Sequence, residues 1–366
     1  MDITLEEYDY PYSCQINLTS SCNLRCRHCF GDYSNKEQKE LSLEEWKKVI
    51  DELSEEKVFY LNISGGEPTK SPLFKEFINY LVKKGMYFIL TTNGVFSKQT
   101  REFILKNKDY IIYLKFSLDG ATAKSHGYIR RDSKGNYNPQ IFKTTLENIM
   151  FFKNKKVPLV ITTVVHKENI KEFSKLQKLI KKINPHKWLV SPIIPVGRGE
   201  KNKFISEVDS YFNKSFWKEI RSAGKKDNIQ VRLVDMPIES SDKNLYAYSC
   251  SAALNMCEIH SDGTVSPCTL SRVLIPENKM KFENIKDQKL REIWHGKLFN
   301  EFRSYMNKGC EGCKMLSKCN KCVAQSFRYF GNGESPTPFC IREGKNLGLK
   351  DYKKYSKIIS RIYDNA

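Results

Sequence analysis

Apolar and polar positions follow two different rhythms along this chain. Short runs rich in β-branched and aromatic residues recur at Gln15–Thr19, Val58–Ile63, Tyr87–Thr91, Ile111–Ser117, Leu159–Val165 and Trp188–Ile194. Runs of this kind predict strands. Between them the apolar positions repeat every three to four residues, the spacing that gathers them on one face of a helix. Helices are expected near Leu73–Lys83, Lys98–Lys106, Lys167–Lys182 and Glu207–Ala223. Ser42-Leu43-Glu44-Glu45 has the form of a capping box, in which the two side chains satisfy each other's backbone N–H groups. Asn138-Pro139 offers a helix cap followed by a proline whose missing N–H costs nothing at a first helical position. A strand–helix unit takes ~30 or more residues, so residues 13–230 have room for six. Repeated βα units imply parallel strands joined by right-handed crossovers. A closed eightfold barrel takes ~250 residues. The expected fold class is therefore α/β, with an open, partial (β/α)6 barrel of the TIM type.

The rhythm is lost after about residue 235. Cys250 to Cys340 contains eight cysteines, few periodic segments and turn signals at Asp262-Gly263 and Gly331-Asn332-Gly333. Metal ligation would stand in for part of a hydrophobic core here. The expected organisation is an arm over 1–12, the barrel over 13–230, a small Cys-rich domain over 235–345 and a terminal helix over 346–366.

Composition narrows the functional classes. The 366 residues are 40% hydrophobic and 28% charged, which is ordinary for a folded protein and excludes global disorder. No apolar run approaches the ~18–20 residues of a membrane span. The acidic start, Met1-Asp2-Ile3-Thr4-Leu5-Glu6-Glu7, lacks the basic-then-apolar order of a signal peptide. No membrane partner and a cytoplasmic location are expected. Lys and Arg outnumber Asp and Glu by 61 to 42, a net charge of +19. The lysines are scattered, with no aromatic-interleaved basic block, so no nucleic-acid partner is expected. Twelve cysteines in a reducing compartment point to metal ligation rather than disulfides.

Cys22, Cys26 and Cys29 are spaced C-x3-C-x2-C just beyond the first strand. In parallel βα folds the chemistry sits at the C-terminal strand ends. Three thiolates on one loop can hold three irons of a four-iron, four-sulfur cluster, leaving the fourth open to substrate or cofactor. A structural zinc site closes its tetrahedron with four ligands and fits this trio poorly. Together with Gly65-Gly66-Glu67-Pro68 after the second strand, the motif resembles the radical S-adenosylmethionine (radical SAM) superfamily. The resemblance implies SAM chelated on the open iron, then cleaved reductively to a 5′-deoxyadenosyl radical that abstracts hydrogen. It implies that His28 fills the aromatic slot near the adenine. Gly65 and Gly66 would let backbone approach the methionyl amino group, and Glu67 would supply a carboxylate there. Asn93, in Thr92-Asn93-Gly94, and Ser117 would end the next two strands at the cofactor. Arg130 would meet the SAM carboxylate, with Arg131 as its neighbouring competitor; a guanidinium suits a carboxylate because it can bind both oxygens.

The second cysteine set reads Cys257, Gly263-x4-Cys268, Cys310-x2-Cys313-x5-Cys319-x2-Cys322 and Cys340, with Cys250 upstream. It resembles the SPASM extension, which carries two auxiliary four-iron clusters. By position, the resemblance implies Cys250, Cys257, Cys268 and Cys322 on the first and Cys310, Cys313, Cys319 and Cys340 on the second. Asn320-Lys321 leaves two residues before Cys322 where the family usually has three. A pair of C-x2-C motifs standing alone would serve zinc equally well. Three clusters account for eleven cysteines, and Cys14 is expected to pack as a small hydrophobe.

Proteins of this kind mostly modify peptides or peptide-derived cofactor precursors. The resemblance implies a peptide substrate, expected to be a ribosomal precursor, undergoing crosslinking, epimerisation or a related oxidation. It also implies an external reductant of flavodoxin or ferredoxin type. Only 13 residues precede Cys14, so no fused leader-recognition domain is expected. A leader would bind this fold directly or through a separate recognition protein. Thr269 stands after Cys268, where sulfatase maturases carry an acidic base. Asp235, Glu239 and Glu258 are nearby acids without an assigned role. The alternative reading is an oxidase or decarboxylase of tetrapyrrole or quinone cofactor synthesis. Asp119-Gly120 and Pro195-Val196-Gly197-Arg198-Gly199 do not separate the two. An electron carrier or zinc-ribbon adaptor would leave Gly65-Gly66-Glu67-Pro68 idle.

Overall fold

Six parallel strands follow one another across the sheet in chain order: β1 (Ser13–Asn17), β2 (Tyr60–Ser64), β3 (Tyr87–Thr92), β4 (Ile111–Ser117), β5 (Leu159–Val165) and β6 (Lys187–Pro192). The computed structural model describes residues 8–33, 39–194, 196–202, 220, 222, 229–233, 238–239, 246–247, 250–342 and 348–349. The expected helix Glu207–Ala223 and the terminal helix 346–366 fall almost wholly outside these residues, as do Asp235 and the side chain of Glu239.

The helices between the strands are α1 (Leu43–Glu55), α2 (Phe74–Lys83), α3 (Lys98–Lys106), α4 (Ala123–Ile129), α5 (Pro139–Asn154), α6 (Lys167–Lys171), α7 (Phe173–Ile183) and α8 (Arg198–Lys201). The capping box forms: Glu45 N donates to Ser42 Oγ at 3.3 Å and Ser42 N donates to Glu45 Oε2 at 2.7 Å. Asn138 Oδ1 accepts from Gln140 N at 3.0 Å. Helical spacing turns Trp46, Val49, Ile50 and Leu53 of α1 and Phe173, Leu176, Ile180 and Ile183 of α7 onto the sheet. Strand spacing sets Cys14 and Ile16 of β1 beside Leu61 and Ile63 of β2 on that same buried face.

Two features go beyond the sequence reading. A seventh parallel strand, β7 (Gln230–Leu233), pairs with β6. From the Cys-rich region, β10 (Met256–Ile259) pairs parallel with β1 on the other side. A small ribbon of β8 (Ile238–Glu239) and β9 (Tyr246–Ala247) stands apart. Antiparallel β11 (Thr264–Ser266) and β12 (Glu283–Asn284) complete the edge, giving the order β12-β11-β10-β1-β2-β3-β4-β5-β6-β7. Among the described residues the two ends of this order do not pair, which leaves the barrel open there. The sheet runs without interruption into the region read as a second domain. Four-residue strands carry too little alternation to be seen in sequence. The expected helix over Lys167–Lys182 breaks at Glu172, which separates α6 from α7. Among the described residues no helix is long and apolar enough to cross a membrane.

Candidate functional site

Parallel strands bring their C-terminal ends to one rim, and the loop after β1 crosses that rim carrying Cys22, Cys26 and Cys29. The loop is held by its neighbours' backbone. Gly66 N donates to Thr19 O at 2.7 Å and Glu67 N donates to Ser21 O at 2.8 Å. A Cβ on Gly66 would stand 2.3 Å from Ser21 O; one on Gly65, whose φ is +142°, would stand 2.5 Å from Thr19 O. The two glycines are thus required by the loop itself.

Glu67 is fully buried and spends its carboxylate on this scaffold. Oε1 accepts from Thr69 Oγ1 at 2.7 Å and Thr92 Oγ1 at 2.8 Å, and Oε2 accepts from Asn93 N at 2.8 Å. It thereby ties the ends of β2 and β3 together. The Asn93 amide turns toward the loop, donating to Asn23 Oδ1 at 2.9 Å and reaching Cys22 Sγ at 4.0 Å. Ser117 ends β4 opposite Thr162 of β5.

A clamp comes from the far end of the barrel. Arg198, at the start of α8, donates through Nε to Cys26 O at 2.7 Å, and its backbone N donates to Cys29 O at 2.9 Å. Its guanidinium also holds Asp32 Oδ1 at 2.9 Å and Tyr33 O at 2.7 Å. Gly197, at φ +56°, faces the Phe30 carbonyl so closely that a Cβ would lie 2.2 Å from it. Gly197-Arg198-Gly199 carries no role from its sequence alone. Its signal was two glycines flanking an arginine just beyond β6.

Arg130 and Arg131 part company. Arg130 is buried, and its Nε donates to Asp119 Oδ2 at 2.5 Å. Burial alone would raise the Asp119 carboxyl, but the charges of Arg130, His28 and His126 outweigh it and hold the group at about 2. The second Asp119 oxygen accepts from Val164 N at 2.8 Å. Arg131 instead donates to Tyr128 O at 3.3 Å beside the Tyr137 ring. His28 is pushed down to about 3 by burial and by Arg130, and its buried Nδ1 has no partner among the described residues.

The three thiols pack around Leu24, Val95 and Ile141. Burial pushes the Cys22 thiol up to about 12, and charge on Cys26 would push further. Burial also raises Cys26, against the pull of Arg130. Thiolates at Cys22 and Cys26, so buried and so close together, need a cationic centre to exist side by side. A donor set of three sulfurs suits iron, so these residues fit the cluster that the motif implies.

Among the described residues no three of the C-terminal thiols close into a metal-holding group, but their charges couple in two sets, Cys268 with Cys250 and Cys310 with Cys313 and Cys340. Burial and the charge of Cys250 push Cys268 up to about 12. Asn320 Nδ2 donates to Cys250 O at 3.2 Å, and two residues on Cys322 opens the helix Val323–Phe330, which packs on the helix Ser271–Leu274 beyond Cys268. Cys310 is raised by burial to about 12, with Cys340 and Cys313 adding to it and Lys321 opposing. Burial raises Cys340 to about 11. Cys319 follows the short turn Leu316–Lys318 of the same segment. Lys321 fills the two-residue gap: it is buried and its ammonium donates to the carbonyls of Lys308, Gly333 and Ser335 at 2.5, 2.7 and 2.8 Å. Cys257 lies elsewhere, its Sγ 3.5 Å from that of Cys14.

Inside the barrel a polar chain crosses the strands. Thr91 donates to Asn62 at 2.9 Å, Asn62 to Gln15 at 3.1 Å, and Gln15 to Thr269 at 2.6 Å and to Glu258 at 3.3 Å. Burial raises Glu258 to about 7; its Oε2 accepts no hydrogen bond among the described residues, with His260 Nε2 standing 3.9 Å away.

Both regions of the chain match known families. Residues 16–180 match the family model of the Radical SAM superfamily, and residues 250–323 match that of the SPASM iron–sulfur cluster-binding domain. The AdoMet-dependent heme synthase of Methanosarcina barkeri is 28% identical over 354 residues, covering 90% of this chain and 96% of the relative. The mycofactocin maturase MftC of Mycolicibacterium smegmatis is 26% identical over 356 residues, covering 91% of this chain and 83% of the relative. The fold resembles that of Streptococcus suis SuiB bound to precursor peptide SuiA, with a TM-score of 0.71 at 18% identity, over 90% of this chain and 75% of SuiB.

Proposed function

We propose that this chain, which is built from a radical SAM domain followed by a SPASM iron–sulfur domain, takes a hydrogen atom from a peptide substrate as the first step of a post-translational modification. Bound at the first loop, the iron–sulfur cluster and SAM would supply one-electron cleavage of the sulfonium and the radical that abstracts hydrogen. The chain's own part is positioning and shielding. Cys22, Cys26 and Cys29 would hold the cluster. Arg198, Gly66 and Glu67 fix the loop that carries them. Arg130, oriented by Asp119, would receive the SAM carboxylate. Neutral His28, Asn93 and Ser117 would line the nucleoside side. Two auxiliary clusters in the SPASM domain would accept or relay the electron left on the substrate, with a flavodoxin- or ferredoxin-type donor upstream. In this reading the chemistry divides between a barrel over 13–230 and an iron–sulfur domain over 235–345.

The observation that carries the peptide reading is the open sheet: among the described residues β7 and β12 are the two unpaired ends of one order. An extended chain can enter through such a gap and add its backbone hydrogen bonds to a strand edge. Mycofactocin maturases among the relatives support it. The net charge of +19 favours an acidic peptide, whose on-rate falls as salt rises. A second reading, oxidation or decarboxylation of a tetrapyrrole, is favoured by the heme synthase relative. Lys115, lowered to about 8 by burial and then by the charge of Arg232, supplies with Arg232 a cationic pair for carboxylates.

Anaerobically reconstituted, reduced protein should convert SAM to 5′-deoxyadenosine, faster with a precursor peptide encoded beside it. Deuterium should pass from the labelled peptide carbon into 5′-deoxyadenosine. Transfer from a labelled tetrapyrrole and from no such peptide would decide for the second reading. The protein should hold about 12 irons, four per cluster, and a Cys22/Cys26/Cys29→Ala variant should lose roughly a third.

A further inference from the structure

Cys257 is the member of the second cysteine set that the fold turns away from the rest. Successive side chains of a strand project to opposite faces of the sheet. In the β1–β10 pairing Cys14 stands opposite Cys257 and Gln15 opposite Glu258. Glu258 projects into the barrel with Gln15 and Thr269, the residue that follows Cys268. Cys257 therefore projects to the helix-covered face. Its surroundings there are Cys14, with the two sulfurs 3.5 Å apart, and Tyr10 and Glu52 of the arm and α1. Both cysteines are closed off from solvent, Cys14 at 1% exposure and Cys257 at 0%, within the main apolar core.

We propose that Cys257 is a packing residue paired with Cys14, and that the first auxiliary site is a three-cysteine site of Cys250, Cys268 and Cys322. Its fourth position then takes an oxygen or nitrogen donor, from the chain or from the substrate. The inventory leaves no cysteine for it: the remaining thiols are the trio at the barrel rim and Cys310, Cys313, Cys319 and Cys340 of the second site. A cluster held this way keeps one iron that can bind a group of the substrate as well as pass electrons. The inference rests on reading residues 250–342 as an iron–sulfur domain.

The test works in the Cys22/Cys26/Cys29→Ala background, where all bound iron is auxiliary. Cys257→Ala, Cys257→Val, Cys14→Ala and Cys268→Ala are added singly and reconstituted anaerobically. Iron per chain, the electron paramagnetic resonance spectrum of the reduced protein and the melting temperature are read for each. The Cys257 and Cys14 variants should keep the background's complement of about eight irons and its spectrum, while the melting temperature falls. Cys268→Ala should lose roughly half of that iron. Valine refills the volume, so Cys257→Val decides should the alanine variant not fold. Loss of iron from both Cys257 variants equal to that from Cys268→Ala, with Cys14→Ala retaining its own, would overturn the assignment. A background protein that binds zinc and no iron would overturn the iron–sulfur reading itself, and the assignment with it.

Discussion

Arg130 and Arg131 carry the same charge one residue apart, yet burial gives them different work. Arg130 neutralises the buried Asp119, so Arg130→Ala should cost stability as well as cofactor. Leaving one partner of a buried pair unmatched costs about 3–5 kcal/mol. Loss of a charge-assisted bond to the SAM carboxylate should weaken SAM binding by about 1.5–3 kcal/mol. Arg131→Ala should leave both nearly unchanged. Equilibrium SAM binding and thermal melts on the two reconstituted variants check this; a silent Arg130→Ala beside a severe Arg131→Ala would reverse the assignment. Glu258 gives a pH signature. Burial raises its carboxyl to about 7 from an ordinary 4.5. The unfolded chain loses that proton above 4.5 while the folded chain keeps it to about 7, so folding weakens as pH climbs through this window. Glu258→Gln copies the protonated acid. It should be more stable than the parent at pH 8, by about 3 kcal/mol and with a higher melting temperature, and little changed at pH 5.

At the scale of elements, the cysteine loop is shaped less by its own residues than by what presses on it. The entry to α8 is the tightest contact: Gly197 has φ +56° and a Cβ there would meet the Phe30 carbonyl at 2.2 Å. Gly197→Ala should therefore cost well over ~1 kcal/mol. It should also displace the carbonyls of Cys26 and Cys29 from Arg198. Iron at the first loop should be lost while the auxiliary iron stays. Gly85→Ala is the control, since Gly85 also has positive φ, at +70°, but open space around it; it should keep all iron. Equal iron loss in both variants would show that backbone strain in general, and not this contact, disturbs the loop.

Across the whole molecule the two regions share one sheet. Tyr8 N donates to Leu254 O at 2.8 Å, Trp294 Nε1 donates to Tyr8 O at 2.9 Å, and Arg291 reaches Glu56 on α1 and Asp9 on the arm. A fragment ending at residue 233 would strip β10 from β1 and expose a row of unpaired backbone groups. Such an edge invites association with other chains. The fragment should aggregate in size-exclusion chromatography where the full chain does not. A monomeric fragment with a native melt would show that the barrel stands alone.

How much of this was legible beforehand follows from how far apart the partners are in sequence. The spans of β4 and β5, the box before α1 and the cap before α5 were readable because local spacing and local hydrogen bonds decide them. The cysteine spacings and Gly65-Gly66-Glu67-Pro68 announced the chemistry because ligands on one loop must be close in sequence. By itself, then, the sequence determined the α/β class, the thiol-rich rim and the motifs that match the radical SAM and SPASM family models. It could not show that Arg198 grips a loop some 170 residues earlier, as the 172-residue separation from Cys26 makes plain. Nor could it show that Lys321 fills its gap by meeting three carbonyls. Only the tertiary structure decided that Cys257 faces Cys14, because a strand's parity is set by its neighbour's register, and that neighbour lies 243 residues away.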